Sequence, residues 1–306
     1  MDHRRRWIVI ACLLQAGLAL GCAAPPVRPS PERLEPSTPT VVAPAIPAPQ
    51  SPELPSIAPL PPVPPTPTAA QADLLAPLRP YTRVSADDAL GGLARVAEAR
   101  RAKLAVVQTL FEEAGVSYPP AELVLRGFKR ERELEVWASS RDGEAMRPIA
   151  VYTICATSGV LGPKRQEGDG QVPEGYYRIA YLWPKSAFHL AMKVGYPNVS
   201  DRRLGHPTMP GSDIMIHGGC ASIGCLAMSD ERIQEIYVMA ADVQGRSPIT
   251  VHLYPTRDRA WLAQQPAWRD HGAFWDNLYE GFDMFEASHR PPTVQVDIRG
   301  AYRFTM

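Results

Sequence analysis

The stretch IMIHGGCASIGCLAM, residues 214–228, sets a histidine, two cysteines, a serine and glycines 218, 219 and 224 among apolar residues. The chain has five cysteines in all, so two within eight residues of His217 call for a reason. Three chemistries compete. In the first, Cys225 is a nucleophile. A cysteine attacks carbonyls well only as thiolate and needs a nearby base or a lowered pKa. Gly224 lets the backbone turn sharply beside Cys225, and the amides from Gly224 to Leu226 could face a developing oxyanion, where such donors are worth ~3 kcal/mol each. His217 ends a strand, and the glycines after it let the chain fold back toward the sulfur. In the second, His217, Cys220 and Cys225 bind zinc, although they supply three ligands where a structural zinc takes four. In the third, Cys225 is a buried apolar thiol in a tight core turn.

The elements that must hold these residues can be read from periodicity. Residues 87–114 are strong helix formers behind an N-cap at Ser85 with Asp88 three residues on, and Gly115 offers a C-cap. One face of that helix carries Leu93, Val96, Leu104, Val107, Leu110 and Phe111. After Pro119 and Pro120 come short β-like runs: ELVLRGF, ELEVWAS, a turn at Asp142–Gly143, then PIAVYTICAT. A Gly-rich charged loop, SGVLGPKRQEGDGQVPEGYYRIAYL, runs into a further strand, and FHLAMKVGYPNVSD supplies another strand and a turn. SDIMIHGG reads as a strand ending at His217. DERIQEIYVMAADVQGR reads as a helix started by Ser229 or Asp230 and stopped at Gly245, and PITVHLYP as a last buried strand. An aromatic helix, GAFWDNLYEGFDMFEASH, breaks at Pro291–Pro292 before a closing hairpin, TVQVDIRGAYRF. The expected fold is a β-rich α+β domain with helices at both ends.

The first 80 residues read differently. Arg4, Arg5 and Arg6 precede a mainly apolar run from Trp7 to Leu20, the pattern of an export signal over residues 1–21. LALGC resembles a bacterial lipobox, in which cleavage leaves Cys22 carrying lipid; ordinary signal cleavage near Ala23–Ala24 is the alternative. Nineteen of the 33 prolines lie between Pro25 and Pro80. That composition cannot bury a core, and residues 22–80 read as an extended tether. Lysine plus arginine and aspartate plus glutamate both total 32. A balanced chain of this kind gives no reason to expect a nucleic-acid partner.

HGGCASIGCLAM resembles the active-site signature of L,D-transpeptidase catalytic domains of the YkuD type, where a His-Gly is followed by Ser/Thr-x-Gly-Cys and a hydrophobic residue. LGPKRQEGDGQVPEGYYRI, FHLAMKVGYPNVSDR, IMIHGGCASIGCLAMSDERIQEIY and FWDNLYEGFDMFEASHRPPTV are similar to successive blocks of the YafK-like branch of that family. The resemblance runs from about Glu122 to the end. It divides the chain into a helical segment (residues 81–121), a catalytic domain (122–258) and a C-terminal helix and hairpin (259–306).

The resemblance implies that Cys225 is the nucleophile and His217 its base, with Ser222, Gly224, Leu226 and Gly218 shaping the site. The implied substrate is a peptidoglycan stem peptide. Attack on the L-centre carbonyl of its diamino acid gives a thioester that passes to water or to an amine. Hydrolysis of a peptidoglycan-linked amide, such as a lipoprotein–peptidoglycan link, is the expected outcome. Cross-linking or protein attachment by an L,D-transpeptidase is one alternative, and a non-catalytic peptidoglycan-binding lipoprotein is the other. No cofactor and no metal are implied. The setting is a periplasm, with the protein held at the outer membrane by its lipid.

Two departures stand out. Ala227 occupies a place where many members carry an arginine, and seven residues separate His217 from Cys225, a short interval for the family. Substrate contacts are therefore sought at Tyr196, Arg165 and Arg202, with Lys164 and Arg203 nearby in sequence. Glu167 and Asp169 are candidates for orienting the substrate or for a solvated loop. Cys155 and Cys220 are open to pairing with each other, and a Cys220–Cys225 bridge would silence the nucleophile.

Overall fold

The computed structural model describes residues 86–306, with side chains from residue 94 onward. The expected signal, the Cys22 lipidation site, the Pro-rich tether and the Ser85 cap lie outside the described residues. Among those described, no helix is long and apolar enough to cross a membrane.

Helix α1 spans Ala86–Ala114. It ends where Gly115 turns left-handed at φ +64°, and Val116 N–H reaches back to Phe111 O. Val107 and Phe111 are fully buried, with Val96, Leu104 and Leu110 packed beside them as the periodicity predicts. The strands follow as β1 (Glu122–Phe128), β2 (Glu133–Ser139), β3 (Arg147–Thr153), β4 (Gly175–Trp183) and β5 (Ala191–Val194). Next come a short helix α2 (Val199–Leu204), β6 (Met215–His217), β7 (Leu226–Ala227), helix α3 (Asp230–Val243) and β8 (Ile249–Tyr254). Helices α4 (Arg259–Leu262) and α5 (Trp268–Ser288) precede the hairpin β9 (Thr293–Val296) and β10 (Tyr302–Thr305). The C-terminal helix stops at His289, whose φ is +53°, two residues before the proline pair.

Eight strands form one sheet in the order β3-β2-β1-β8-β4-β5-β6-β7. Pairs β1–β8 and β6–β7 are parallel. The parallel centre explains why β1 is buried along almost its whole length instead of alternating. A register shift between Ile179 and Tyr181 bends β4, so that it serves both the β1/β8 half and the β5/β6/β7 half.

Alternation along the strands assigns two faces. One carries Leu123, Leu125, Val251, Leu253, Met192, Val194, Ile216 and Leu226 in a single core with α1 and α3. The opposite face differs along its length. Over β1, β8 and β4 it is capped by α4, α5 and the hairpin through Phe128, Tyr176, Tyr254, Leu262, Trp275, Leu278, Tyr279 and Tyr302. Trp275 is fully buried and donates from Nε1 to Glu174 Oε2 at 2.6 Å, while the other Glu174 oxygen takes Lys129 Nζ at 2.9 Å. Over β5, β6 and β7 the same face carries Lys193, Met215, His217 and the residue before β7, Cys225.

Candidate active site

His217 and Cys225 are brought together by strand register. Ile216 pairs with Leu226 and His217 with Ala227 in the parallel ladder. Stepping back one residue sets Met215 beside Cys225, so Cys225 lies diagonal to His217 on the same face, a relation that separates Cα atoms by roughly 7–8 Å. The loop between them is fixed at several points. Gly219 N–H donates to Asp230 Oδ1 at 2.7 Å, tying the first bend to the start of α3. A Cβ on Gly218 would stand 2.6 Å from the same carboxylate oxygen and 2.9 Å from Phe188 O, so only glycine fits. Cys155 and Cys220 form a disulfide across 65 residues with Cα atoms 5.3 Å apart. That pairing uses Cys220, leaves Cys225 as a free, half-buried thiol, and removes one thiolate from the three-ligand zinc set.

Ser222 grips the nucleophile's backbone. Its Oγ accepts Cys225 N–H at 3.0 Å and donates to Cys225 O at 2.7 Å. Gly224, at φ +93°, donates its N–H to Ser158 Oγ at 2.5 Å, and the Ser158 hydroxyl in turn donates to Gly170 O at 2.8 Å. The amides of Gly224 and Cys225 are thus engaged within the protein, not turned toward an open oxyanion site. Leu226 sends its side chain into the core.

His217 is 2 % exposed. Its Nδ1 lies 2.6 Å from Gly218 O. A carbonyl only accepts, so Nδ1 carries the proton and Nε2 is a bare acceptor. Phe188, whose ring centroid is 4.8 Å from the imidazole, covers it. The loop bearing Phe188 is held by Arg95 of α1, which donates to Ser186 O at 2.8 Å and to His189 O. Burial lowers the imidazole pKa below 6.5, and the bond to Gly218 offsets only part of that.

The thiol is not bonded to the imidazole. Cys225 Sγ lies 3.6 Å from Asp213 O. Burial raises its pKa above the ordinary 9.0, against smaller lowering effects from the Met215 amide, Lys193 and Lys164. At neutral pH the pair is therefore thiol and neutral imidazole, and a thiolate forms only by transfer to Nε2. That transfer needs the S–H to turn from Asp213 O toward His217, and catalytic hydrogen bonds of this kind often tighten only once substrate is bound.

The residues sought as substrate contacts are placed unevenly. Tyr196 is buried, and its hydroxyl donates to Pro210 O at 2.7 Å. Arg165 turns to the C-terminal cap, with its guanidinium 4.8 Å from the Phe274 ring and 3.8 Å from Asp201. Arg202 and Arg203 sit in the last turn of α2, Arg203 donating to Ile298 O at 2.9 Å. Asp169 organises its own loop, accepting Lys164 Nζ at 2.5 Å and the amides of Arg165, Gln166 and Gln171 at 2.9–3.0 Å. A cavity of about 590 Å³ opens elsewhere, between β1, β8, β4 and the segment Pro291–Gln295, and its lining includes neither Cys225 nor His217.

The L,D-transpeptidase catalytic domain family, YkuD, matches residues 130–259. The chain is 38 % identical over 179 residues to the Escherichia coli K12 protein named “Putative L,D-transpeptidase YafK”, covering 57 % of this chain and 70 % of that one. This chain belongs to the L,D-transpeptidase family. Solved structures similar to it include the helical cell shape determining protein Pgp2 of Campylobacter jejuni, with TM-score 0.39 and 15 % identity over 65 % of this chain and 97 % of that one. Bd1075 of Bdellovibrio bacteriovorus is another, with TM-score 0.33 and 18 % identity over 59 % and 79 %. Within this L,D-transpeptidase domain, the residue that sequence reasoning passed over is Lys193. A lysine between Met192 and Val194 reads as the solvent side of a strand, yet it is 9 % exposed and its Nζ donates to Val194 O at 2.9 Å, Tyr196 O at 3.1 Å and Ser212 O.

Proposed function

We propose that this L,D-transpeptidase-family protein is a cysteine enzyme that cuts a peptidoglycan-linked amide through a thioester, with Cys225 as nucleophile and His217 as base. The observation that carries the reading is the pairing of a free thiol with a histidine whose Nε2 is left bare by the Gly218 bond, on one sheet face. In the reaction Nε2 takes the thiol proton and Sγ bonds to the L-centre carbonyl carbon of the diamino acid. The tetrahedral intermediate then expels the amine, which receives that proton from the imidazolium. Water, deprotonated by Nε2, attacks the thioester; the C–O bond forms, the C–S bond breaks and the thiol is restored. Hydrolysis, ahead of transfer to an amine, is supported by the similarity to the YafK-like branch. The substrate class is the stem peptide of peptidoglycan, with a lipoprotein attached to it as one form of leaving group. Export and a lipid on Cys22 complete the proposal, supported by the N-terminal pattern of residues 1–22.

The test is incubation of the protein with defined tetrapeptide and lysine-linked stems, read by mass spectrometry beside Cys225→Ala. Wild type is expected to release the amine and to show a transient thioester mass on the Cys225 peptide. The variant should lose both, by at least about a thousandfold in rate. A cross-linked product would replace hydrolysis with transfer, and turnover surviving in Cys225→Ala would remove the nucleophile assignment. Binding without turnover in the wild type would favour a non-catalytic peptidoglycan-binding protein.

A further inference from the structure

We propose that Lys193 is a positioning residue for Cys225: its fixed, un-neutralised ammonium stabilises negative charge on the sulfur as the thiol gives up its proton. The inference deepens the reading of Cys225 as the nucleophile and rests on it.

Register supplies the geometry. Lys193 is the partner of Met215 across the antiparallel β5–β6 pair, and directly opposed residues point to one face. The β6–β7 register, Ile216 with Leu226 and His217 with Ala227, carried back one residue sets Met215 beside Cys225. Lys193, Met215 and Cys225 therefore occupy one row across three strands, on the face left uncovered by the C-terminal cap.

The manner of its burial points to a role. Taking a lysine out of water costs several kcal/mol unless its donors and charge are met. Here the three N–H donors are met by Val194, Tyr196 and Ser212 carbonyls. These satisfy the hydrogen bonds while leaving the charge in place, since carbonyls carry no formal charge to cancel it. Among the described residues no carboxylate lies within ion-pair distance of Lys193. Lys129, by contrast, is neutralised by Glu174 at 2.9 Å, and Lys164 by Asp169 at 2.5 Å. A buried cation held this way projects its field onto what lies next to it in a low dielectric.

The charged and titratable groups around the sulfur come from four segments. Lys193 comes from β5, Lys164 from the loop before β4, Asp213 from the segment leading into β6, and His217 from β6 itself. The two lysines favour the thiolate and Asp213 opposes it. Of the two lysines, Lys193 lacks a bonded carboxylate, so its charge is the less screened. Reciprocally, Cys225 and Asp213 favour the charged form of Lys193, which burial disfavours.

The experiment follows iodoacetamide alkylation of the Cys225 peptide against pH in the full protein, with wild type, Lys193→Gln and Lys193→Arg. Gln keeps N–H donors for two of the carbonyls but no charge, and Arg keeps the charge. Lys193→Gln is expected to move the alkylation midpoint up by about one pH unit, about tenfold slower labelling on the rising limb, and Lys193→Arg to restore most of it. Coincident profiles for wild type and Lys193→Gln would overturn the proposal. Should Lys193→Gln not fold, the 13Cε resonance of Lys193 in wild type serves instead. It is expected to step at the Cys225 midpoint and to lose that step in Cys225→Ala, and identical titrations in both would overturn the proposal. Neither readout needs a muropeptide. A wild type that alters no stem peptide would sink the enzyme reading and leave only the charge coupling between Lys193 and the Cys225 sulfur, whereas turnover with unshifted alkylation would keep the enzyme reading and overturn the inference.

Discussion

Gly218 O lies 2.6 Å from Nδ1 of His217, an acceptor supplied by the very next residue of the chain. This contact fixes the tautomer, leaves Nε2 to take a proton, and needs no aspartate or glutamate partner. Because burial holds the imidazole below 6.5, it stays a competent acceptor at lower pH than a free histidine would. The Cys225 thiol, pushed above 9.0, stays protonated across the same range. The rate on stem peptides is therefore expected to be level through pH 7 and to fall only below pH 6.5. A fall already between pH 8 and pH 7 would contradict a base of this kind. His217→Ala is expected to lose about 10²–10⁴-fold in rate with an unchanged circular dichroism spectrum.

Gly224→Ala probes the turn beside the nucleophile. The new Cβ would stand 3.1 Å from Gln171 O, at a φ of +93° that L-residues avoid. The expected cost is roughly 1–2 kcal/mol, which for a domain of this size is a fall in Tm of about 2–8 °C. Turnover should drop further than stability, because the Gly224 amide and the Cys225 backbone share that turn.

The Cys155–Cys220 bridge ties the loop that carries Ser222 and Cys225 to the chain after β3, where Cys155 N–H also bonds Ala227 O at 2.8 Å. Replacing both cysteines by serine is expected to lower stability by about 4 kcal/mol on the loop-closure estimate for a 65-residue separation. Turnover should fall as well, while Cys225 still labels. Equal Tm and equal rates in the double variant would show that the bridge holds nothing the sheet does not already hold. In the unreduced protein, peptide mapping should find Cys225 alkylated and Cys155 and Cys220 protected.

His252 makes the second prediction about pH. It is 1 % exposed, among Tyr176, Tyr254 and Phe285, with neither ring nitrogen bonded. Burial, aided by Arg126, lowers its pKa to about 3 from 6.5. A depressed folded-state value means the unfolded chain binds the proton first. Stability is fully present above pH 6.5 and is lost as pH falls toward about 3, at ~1.4 kcal/mol per unit. Urea denaturation at pH 7 and pH 5 should show His252→Leu losing roughly 2 kcal/mol less than wild type between the two. Parallel losses would mean that His252 is protonated in the folded protein.

Much of this arrangement can be read from the sequence, and what cannot has physical causes. Apolar spacing marks the long helices in the sequence; α3 has Ser229 as its N-cap, whereas α5 begins at Trp268, ahead of the expected Gly272, with no side-chain cap to announce it. The strand ending at His217 and the closing hairpin were equally plain. The two-residue strand β7 was hidden, because its identity rests on pairing with Ile216 and His217 and not on any pattern of its own. Helix α2 stands where the sequence suggests only a turn. At six residues it is too short for periodicity, and it is announced only by the Asn198–Asp201 capping box. Lys193 was invisible for a different reason: alternation says which face a residue takes, but not whether that face meets solvent. Pairing of Cys155 with Cys220 likewise depends on a contact across 65 residues that no local rule reaches.

The central pairing of Leu123 with Ile249 has a consequence for how the chain can be made. The middle of the sheet joins an early segment to one that leaves the ribosome some 125 residues later, so no shorter prefix can complete it. Synthesis must be nearly finished before the domain can close, so the sheet forms after most of the chain has emerged and not strand by strand. By the same logic, cutting the gene anywhere between β1 and β8 yields two halves that must find each other before either holds its shape.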